Sequence, residues 1–96
     1  MRNYELAFII DPNTDAEGVT GVVEGVSEFI ETASGKVTSV DVWGRKKLAY
    51  PIKRHKEGTY VVIEATMEPA GVMEFERNMK LAEKIIRYML IAKEDN

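Results

Sequence analysis

The spacing of hydrophobic residues in this sequence switches between the period of a strand and that of a helix, which constrains the fold more than any other feature. Alternating apolar residues predict strands at Tyr4 to Ile10, at Thr59 to Met67 and at Ile85 to Ala92. Helical spacing predicts a first helix that ends near Ala33 and a second that begins at Glu68-Pro69. The chain is therefore predicted to combine strands and helices in an α+β fold.

The first predicted helix has start and stop signals at its two ends. Thr14 followed by Glu17 matches a capping box, in which a hydroxyl and a carboxylate satisfy backbone N–H groups at the helix start. Ser34-Gly35 supplies the glycine expected just after a helix. Three glycines inside the helix each cost about 1 kcal/mol relative to alanine. We therefore expect packing, rather than intrinsic propensity, to hold this helix.

The segment after this helix predicts two stretches of extended chain. Lys36 to Val42 is β-branched in character, and Trp43-Gly44 interrupts it with a predicted bulge or bend. Lys46 to Ile52 then resumes the extended pattern, and Pro51, which cannot donate to a ladder, predicts an edge strand. Glu57-Gly58 is predicted to form the turn into the next strand.

The complete order of elements is β-α-β-β-α-β, the ferredoxin-like arrangement. Right-handed crossovers place both helices on one face of a four-stranded antiparallel sheet. A length of 96 residues suits a single domain spanning residues 1–96, with a short polar tail from Lys93 to Asn96. The other face of the sheet, which we call the open face, is then left without a cover.

The open face is predicted to be partly apolar. A solvated face of an antiparallel sheet is usually mostly polar, whereas an apolar patch on the order of a few hundred Å² is typical of partner binding. Scattered apolar residues on an ordinary surface are the plainer alternative. A platform for base stacking is disfavoured, because Tyr60 is the only aromatic residue predicted there. The residues assigned to this face are Ala7, Ile9, Ala49, Tyr60, Val62, Met89 and Ile91, with Glu5, Lys47 and Arg87 among them.

Charge is segregated along the sequence, although the formal net charge is only −3. Six of the thirteen Lys and Arg residues fall within residues 45–56, which contain no acid. Residues 3–35, in contrast, contain seven acids and no Lys or Arg. Keeping an edge strand soluble is one role for such cations. Their density favours a surface that faces a polyanion.

Composition disfavours several classes of function. The absence of cysteine excludes thiolate metal sites and disulfide scaffolds, and a single histidine, His55, excludes a His-rich metal site. His55 lies among three cations, which suits a surface residue or a phosphate contact better than a general base. No nucleophile motif or phosphate-binding glycine loop occurs, so we expect no catalytic residue, no cofactor and no small-molecule substrate. No apolar run approaches membrane-spanning length and no secretory signal is recognisable, which predicts an intracellular protein away from the membrane.

A resemblance to the bacterial small-subunit ribosomal protein S6 family is carried by the run from Trp43 to Lys53, WGRKKLAYPIK. The opening Met1 to Glu5, the Glu57-Gly58 pair before Tyr60 and the closing Ile86 to Leu90 are also similar to that family. The resemblance covers essentially the whole chain and agrees with the β-α-β-β-α-β order.

This resemblance implies a non-catalytic, structural constituent of the small ribosomal subunit, associated with ribosomes in the cytoplasm. It implies two partners, small-subunit ribosomal RNA and ribosomal protein S18, with which the family pairs as a heterodimer. We expect RNA contacts at the basic residues Arg2, Arg45, Lys46, Lys53, Arg54, Lys56, Arg87 and Lys93. We expect the protein interface at Trp43, Lys47, Ala49, Tyr50, Tyr60, Val62, Met89 and Ile91.

Two alternatives from other classes stay open. A self-associating ferredoxin-like domain, which senses a ligand or forms a homodimer through the open face, fits the same apolar residues. An acyl-phosphate hydrolase of this topology fits less well, because it needs an anion-binding loop after the first strand, where Asp11 to Asp15 is acidic.

Overall fold

A computed structural model, which describes residues 1–93, forms a four-stranded antiparallel sheet in the order β2-β3-β1-β4. Two helices pack on one of its faces, so the ferredoxin-like fold predicted from the sequence is confirmed. In chain order the elements are β1 (Arg2–Ile10), α1 (Ala16–Thr32), β2 (Lys36–Ile52), β3 (His55–Met67), a 3-10 turn (Pro69–Gly71), α2 (Val72–Leu81) and β4 (Ile85–Lys93).

The hydrophobic core lies between the helices and alternate residues of the two central strands. Phe8 and Ile10 of β1 are buried there, as the alternation predicted. The helices contribute Ile30 from α1 and Phe75 and Met79 from α2, all essentially inaccessible to solvent. Truncating one such side chain to alanine costs about 2–5 kcal/mol, so this layer fixes the sheet beneath the helices.

The start of α1 differs from the predicted capping box. Asp15, rather than Thr14, is the N-cap, and its carboxylate accepts a hydrogen bond from the Gly18 N–H at 2.7 Å. The Thr14 N–H donates instead to the carbonyl of Asp11 in the preceding loop, at 3.0 Å. The predicted box of Thr14 and Glu17 is therefore wrong. Threonine and aspartate both cap well, so two adjacent candidates are not separated by residue type alone.

The end of α1 lies where the sequence predicts it, but the left-handed residue is Ser34, with φ of 59°, and not Gly35. Gly35 is required for space: a Cβ there would lie 2.5 Å from the carbonyl oxygen of Thr66 and 2.6 Å from Met67 Cγ. The glycine therefore lets the connection from α1 to β2 pass close against β3.

Strand β2 is a single strand of 17 residues rather than two separate runs. The predicted bulge at Trp43-Gly44 is present, because the register with β3 shifts between Val42 and Gly44, and Gly44 has φ of 87°. The chain nevertheless continues pairing beyond it. After the bulge, Lys46 pairs with Gly58.

The turn between β2 and β3 is formed by Lys53-Arg54, so the predicted turn at Glu57-Gly58 is wrong. Ile52 pairs with His55 across a two-residue loop whose central residues have φ of 49° and 70°. Positive φ at both central positions is the pattern of a type I′ turn, which is usually occupied by Asn-Gly. The sequence therefore carries no turn signal here, because lysine and arginine are not typical turn residues.

The remaining boundaries shift by a few residues. Strand β1 begins at Arg2, and the second helix starts as the 3-10 turn before α2 continues from Val72. Lys93 belongs to β4 and not to the predicted tail, whose other residues, 94–96, lie outside the described part of the chain.

Candidate functional site

The open face carries a central row of apolar side chains. Ala7 of β1 pairs with Val62 of β3 on one side and with Met89 of β4 on the other. Met89 is 56% exposed and Ile91 is 46% exposed, while Tyr60 and Val62 are half-buried among their neighbours. Within residues 1–93, this face therefore presents the accessible apolar surface that the sequence predicts.

One end of the open face is charged. Glu5 lies between Glu64 of β3 and Ile91 of β4 in the register of the sheet. Lys93 reaches across β1 to form an ion pair and hydrogen bond with Glu64. This hydrogen bond and the charge of the Glu64 carboxylate raise the pKa of the Lys93 ammonium group. The lysine thus already has an acidic partner within the molecule.

At the other end of the sheet, β2 and β3 continue past β1 as a two-stranded hairpin, residues 45–58, which we call the basic arm. The Arg45 guanidinium donates a hydrogen bond to the carbonyl of Pro12, at 2.5 Å. His55 Nε2 lies 3.9 Å from Asp11 Oδ2. These contacts attach the arm to the loop that follows β1.

The basic arm also reaches the opposite edge of the sheet. Arg87 of β4 donates a hydrogen bond from Nη1 to the Tyr50 hydroxyl, and its guanidinium carbon lies 6.0 Å from the centre of the Tyr50 ring. Because β2 and β4 are the two edge strands, this contact requires the arm to bend across the end of the sheet.

The bend of the arm shields part of the open face. A Cβ on Gly58 would lie only 2.2 Å from Ile9 Cγ2, so glycine is needed for the arm to pass this close to β1. Ile9 is consequently only 9% exposed. It was expected to be accessible on the open face, and its burial corrects that expectation.

Trp43 lies in the bulge of β2 and is 53% exposed. Its indole Nε1 donates a hydrogen bond to Asp41 Oδ2 at 2.9 Å. The Lys46 ammonium nitrogen lies 5.4 Å from the centre of the ring, within range of a cation–π interaction. Asp41 pairs with Val62, which places it on the open face together with Trp43, two residues further along β2.

The structure gathers most of the basic residues predicted to contact RNA at one end of the molecule. Arg87 joins this group through its contact with Tyr50. Arg2 and Lys93 lie at the other end of the sheet, where Arg2 pairs with Met67 and Lys93 pairs with Asn3. The residues brought together on the arm itself are Arg45, Lys46, Lys53, Arg54 and Lys56.

The residues predicted for a protein interface are divided in a similar way. Tyr60, Val62, Met89 and Ile91 share the open face. Lys47 does not, because the bulge shifts the alternation by one residue and places Lys46 on that side instead. The predicted position of Lys47 is therefore corrected. Ala49 is exposed in a stretch without regular pairing to β3, beside Tyr50.

Two acidic residues of the open face, Asp41 and Glu64, were missed by the sequence reasoning as members of the site. Strand alternation could have identified both, since Asp41 stands two residues before Trp43 and Glu64 two residues after Val62.

Within residues 1–93, no group of three His, Cys, Asp or Glu side chains is arranged to hold a metal ion. Neither helix there is long and apolar enough to cross a membrane.

The fold and its two surfaces define a ferredoxin-like domain, with helices on one face, an open face and a basic arm that extends past β1. The family model described as ribosomal protein S6 matches residues 3–92. The chain therefore belongs to the ribosomal protein S6 family, as the resemblance of its sequence implied. The family consists of structural rather than catalytic proteins, and its match together with relatives named as small-subunit proteins identifies this chain as a ribosomal protein of the small subunit.

Individual relatives agree with this assignment over nearly the full chain. The small ribosomal subunit protein bS6 of Moorella thermoacetica is 42% identical over 95 residues, which are 99% of this chain and 97% of that protein. The bS6 protein of Corynebacterium aurimucosum is 44% identical over 91% of both chains. The crystal structure of 30S ribosomal protein S6 from Thermotoga maritima has a TM-score of 0.90 and 35% identity, and the match covers 96% of this chain and 87% of that one.

Proposed function

We propose that this chain binds small-subunit ribosomal RNA through its basic arm and pairs with ribosomal protein S18 through the open face. It would act as a ribosome-associated protein of the cytoplasm. The observation that carries the RNA proposal is the basic arm, which concentrates six cations on a hairpin attached to the rest of the fold.

The tip of the arm supports a role for its charges. Lys53 and Arg54 occupy left-handed backbone positions, which cost about 1–2 kcal/mol for an ordinary L-residue. Asn-Gly fits such a turn with less strain. The tip therefore accepts a conformational cost while placing two cations in the turn at the end of the hairpin. Strained backbone of this kind is enriched at functional sites.

The contacts of the arm with the loop after β1 and with β4 favour binding for a second reason. Arg45 is hydrogen-bonded to Pro12, and Tyr50 to Arg87, so the arm is positioned before it meets a partner. A preorganised surface loses less conformational entropy on binding. Each phosphate contact made by its cations also releases counterions from RNA, which adds a salt-dependent gain.

The acidic helix α1 determines which side of the molecule turns away from RNA. It carries Glu17, Glu24, Glu28 and Glu31 and no basic residue. These carboxylates would repel the phosphate backbone, so the RNA approaches from the side of the arm. The helix-covered side then faces away.

The open face supports the pairing with S18. Met89 and Ile91 are exposed beside half-buried Tyr60 and Val62, and such a contiguous apolar patch gains free energy when a partner covers it. Polar groups lie around this patch, with Asp41 at one edge and the Lys93–Glu64 pair at the far end of the face. Such groups set the orientation of a partner.

The RNA proposal is tested by the salt dependence of binding to a small-subunit ribosomal RNA fragment in the presence of S18. In the test variant, Lys53→Asn, Arg54→Asn and Lys56→Gln remove three cations, and asparagine tolerates the left-handed turn. The log–log salt slope is expected to become shallower by about 2–3, from roughly 0.7–0.9 per lost contact. The matched control removes three exposed cations elsewhere, Lys36→Gln, Arg77→Gln and Lys84→Gln.

Equal slopes for the two variants would contradict the assignment of RNA binding to the arm.

The proposed pairing with S18 is tested with Met89→Asp, which places a charge in the apolar row of the open face. We expect it to abolish heterodimer formation with S18 in light scattering, while the unfolding midpoint stays within the range of surface substitutions. A homodimer that forms without S18 and is broken by Met89→Asp would favour the self-associating alternative.

A further inference from the structure

Trp43 is the only tryptophan in the chain, and the residue is 53% exposed. Leaving so large an aromatic side chain in water forgoes the free energy of burying it. The ring is nevertheless held in place, since Nε1 donates to Asp41 and Lys46 lies over the ring. An exposed aromatic ring with a fixed orientation is suited to binding another planar group.

The bulge determines the direction in which the indole points. Val42 pairs with Val61, whose side chain is buried under the helices, and Gly44 pairs with Tyr60 of the open face. Trp43 is the extra residue between them and follows a residue on the helix side, so its side chain projects to the open side. Trp43 therefore joins Tyr60 on this side, which corrects the expectation that Tyr60 is the only aromatic residue there.

We infer that Trp43 stacks on an unpaired nucleobase of the RNA bound by the basic arm. This inference rests on the proposed RNA binding and adds a base contact to it. Lys46 already shows that a cation can approach the face of the ring. In the complex the nucleobase takes the place of Lys46 over the ring, and the released ammonium group pairs with the adjoining phosphate.

The surroundings of the ring favour a nucleic acid as the occupant. Trp43 directly precedes the six cations of residues 45–56, so a base that reaches it belongs to a strand whose phosphates the arm neutralises. Stacking on an aromatic ring tolerates any base, since each base has a π-face. Asp41 is a positioning residue, because its contact with Nε1 fixes the ring without covering its face.

The single tryptophan provides a direct test, because the indole fluorescence of the chain comes from this ring alone. The probes are a short oligo(A) RNA and an abasic oligomer of the same length and charge, each with a terminal dye. Dye anisotropy reports binding, and tryptophan fluorescence reports stacking. We expect both probes to bind at low salt and only oligo(A) to quench Trp43.

Variants separate stacking from charge. Trp43→Leu should weaken oligo(A) binding at least about fivefold and leave abasic binding unchanged, since one lost stack corresponds to a factor of this size or more. Trp43→Phe keeps an aromatic face and should retain most of the affinity. Asp41→Asn keeps an acceptor for Nε1 and should preserve quenching, and circular dichroism verifies the fold of each variant.

The outcomes distinguish this inference from the function on which it rests. If both probes bind equally, with no quenching and no effect of Trp43→Leu, the stacking is refuted and the arm remains an RNA-binding element. If neither probe binds, alone or with S18 present, RNA binding itself is refuted. A change in Trp43 fluorescence on addition of S18 without RNA, combined with no response to oligo(A), would assign the ring to the protein interface instead.

Discussion

The guanidinium of Arg87 donates a hydrogen bond to the hydroxyl of Tyr50, although the two residues lie on opposite edge strands of the same sheet. The contact is possible because the basic arm bends across the end of β1. Gly58 allows this bend beside Ile9, where a Cβ would lie 2.2 Å from Ile9 Cγ2. The hydrogen bond between Arg87 and Tyr50 therefore depends on the bent position of the arm.

Tyr50→Phe removes this hydrogen bond and keeps the ring near Arg87. We expect the unfolding free energy to fall by no more than about 1 kcal/mol, because the site is exposed. Amide hydrogen exchange at residues 50–56 should accelerate while exchange in β1 stays slow. Tyr60→Phe, on the same face but outside the arm, is the control. Unchanged exchange in the arm would mean that Arg87 does not hold it.

The end of α1 predicts opposite effects at two adjacent positions. Ser34→Gly relieves a left-handed conformation and should raise the unfolding free energy by about 1 kcal/mol. Gly35→Ala introduces a methyl group within 2.6 Å of both Thr66 and Met67 and should destabilise the fold by at least about 1–3 kcal/mol. Urea denaturation measures both. A stabilising Gly35→Ala would contradict the close packing of this connection.

The glycines of α1 are predicted to differ among themselves. A Cβ on Gly21 or Gly25 would meet no atom within 4 Å, so alanine at either position should stabilise the protein by about 0.5–1 kcal/mol. A Cβ on Gly18 would lie 2.6 Å from Thr14 Cγ2, so Gly18→Ala should gain less or destabilise. Thermal denaturation of the three single variants gives the order directly.

Tyr88 predicts a loss of stability in alkaline solution. Burial, and then its hydrogen bond to Glu76 at 2.9 Å with the charge of that carboxylate, raises the pKa of Tyr88 from 10.0 to about 12. Between these values the unfolded chain has released the proton and the folded protein still holds it. The contribution of the protonated Tyr88 hydroxyl to the free energy of unfolding is therefore complete below pH 10.0 and is lost as the pH rises towards 12.

Urea denaturation on either side of this pH window measures the effect. Tyr88→Phe keeps the ring in place and removes the titrating group, so the variant should lose stability less steeply than the parent protein. Tyr50→Phe, at an exposed tyrosine, serves as the control. Identical pH slopes for the parent and Tyr88→Phe would contradict this assignment.

The sequence predicts the parts of this structure that depend on local periodicity. Alternation through Phe8 and Val61 identified the core strands and the open face, because one side of each strand must be buried. The capping residue was misplaced by one position, since Thr14 and Asp15 have similar capping preferences. This error concerns a choice between two locally equivalent residues.

The remaining errors arise from pairing between distant segments. Lys53-Arg54 has no turn signature, and only the register of Ile52 with His55 reveals the turn. Alternation counted through Trp43-Gly44 places Lys47 on the wrong side, because one extra residue reverses all that follow. The Tyr50–Arg87 contact joins residues 37 positions apart and follows from the bend of the arm, which no local pattern encodes.

The separation of the basic arm from the acidic α1 gives the molecule an uneven electric field. At distances beyond a Debye length of about 8–10 Å, a polyanion is screened from most of the individual charges. As it comes nearer, the arm attracts it and the helix repels it, so the protein is turned before contact. A chain with a net charge of −3 can therefore meet a nucleic acid in one preferred orientation, and raising the salt concentration should slow that encounter.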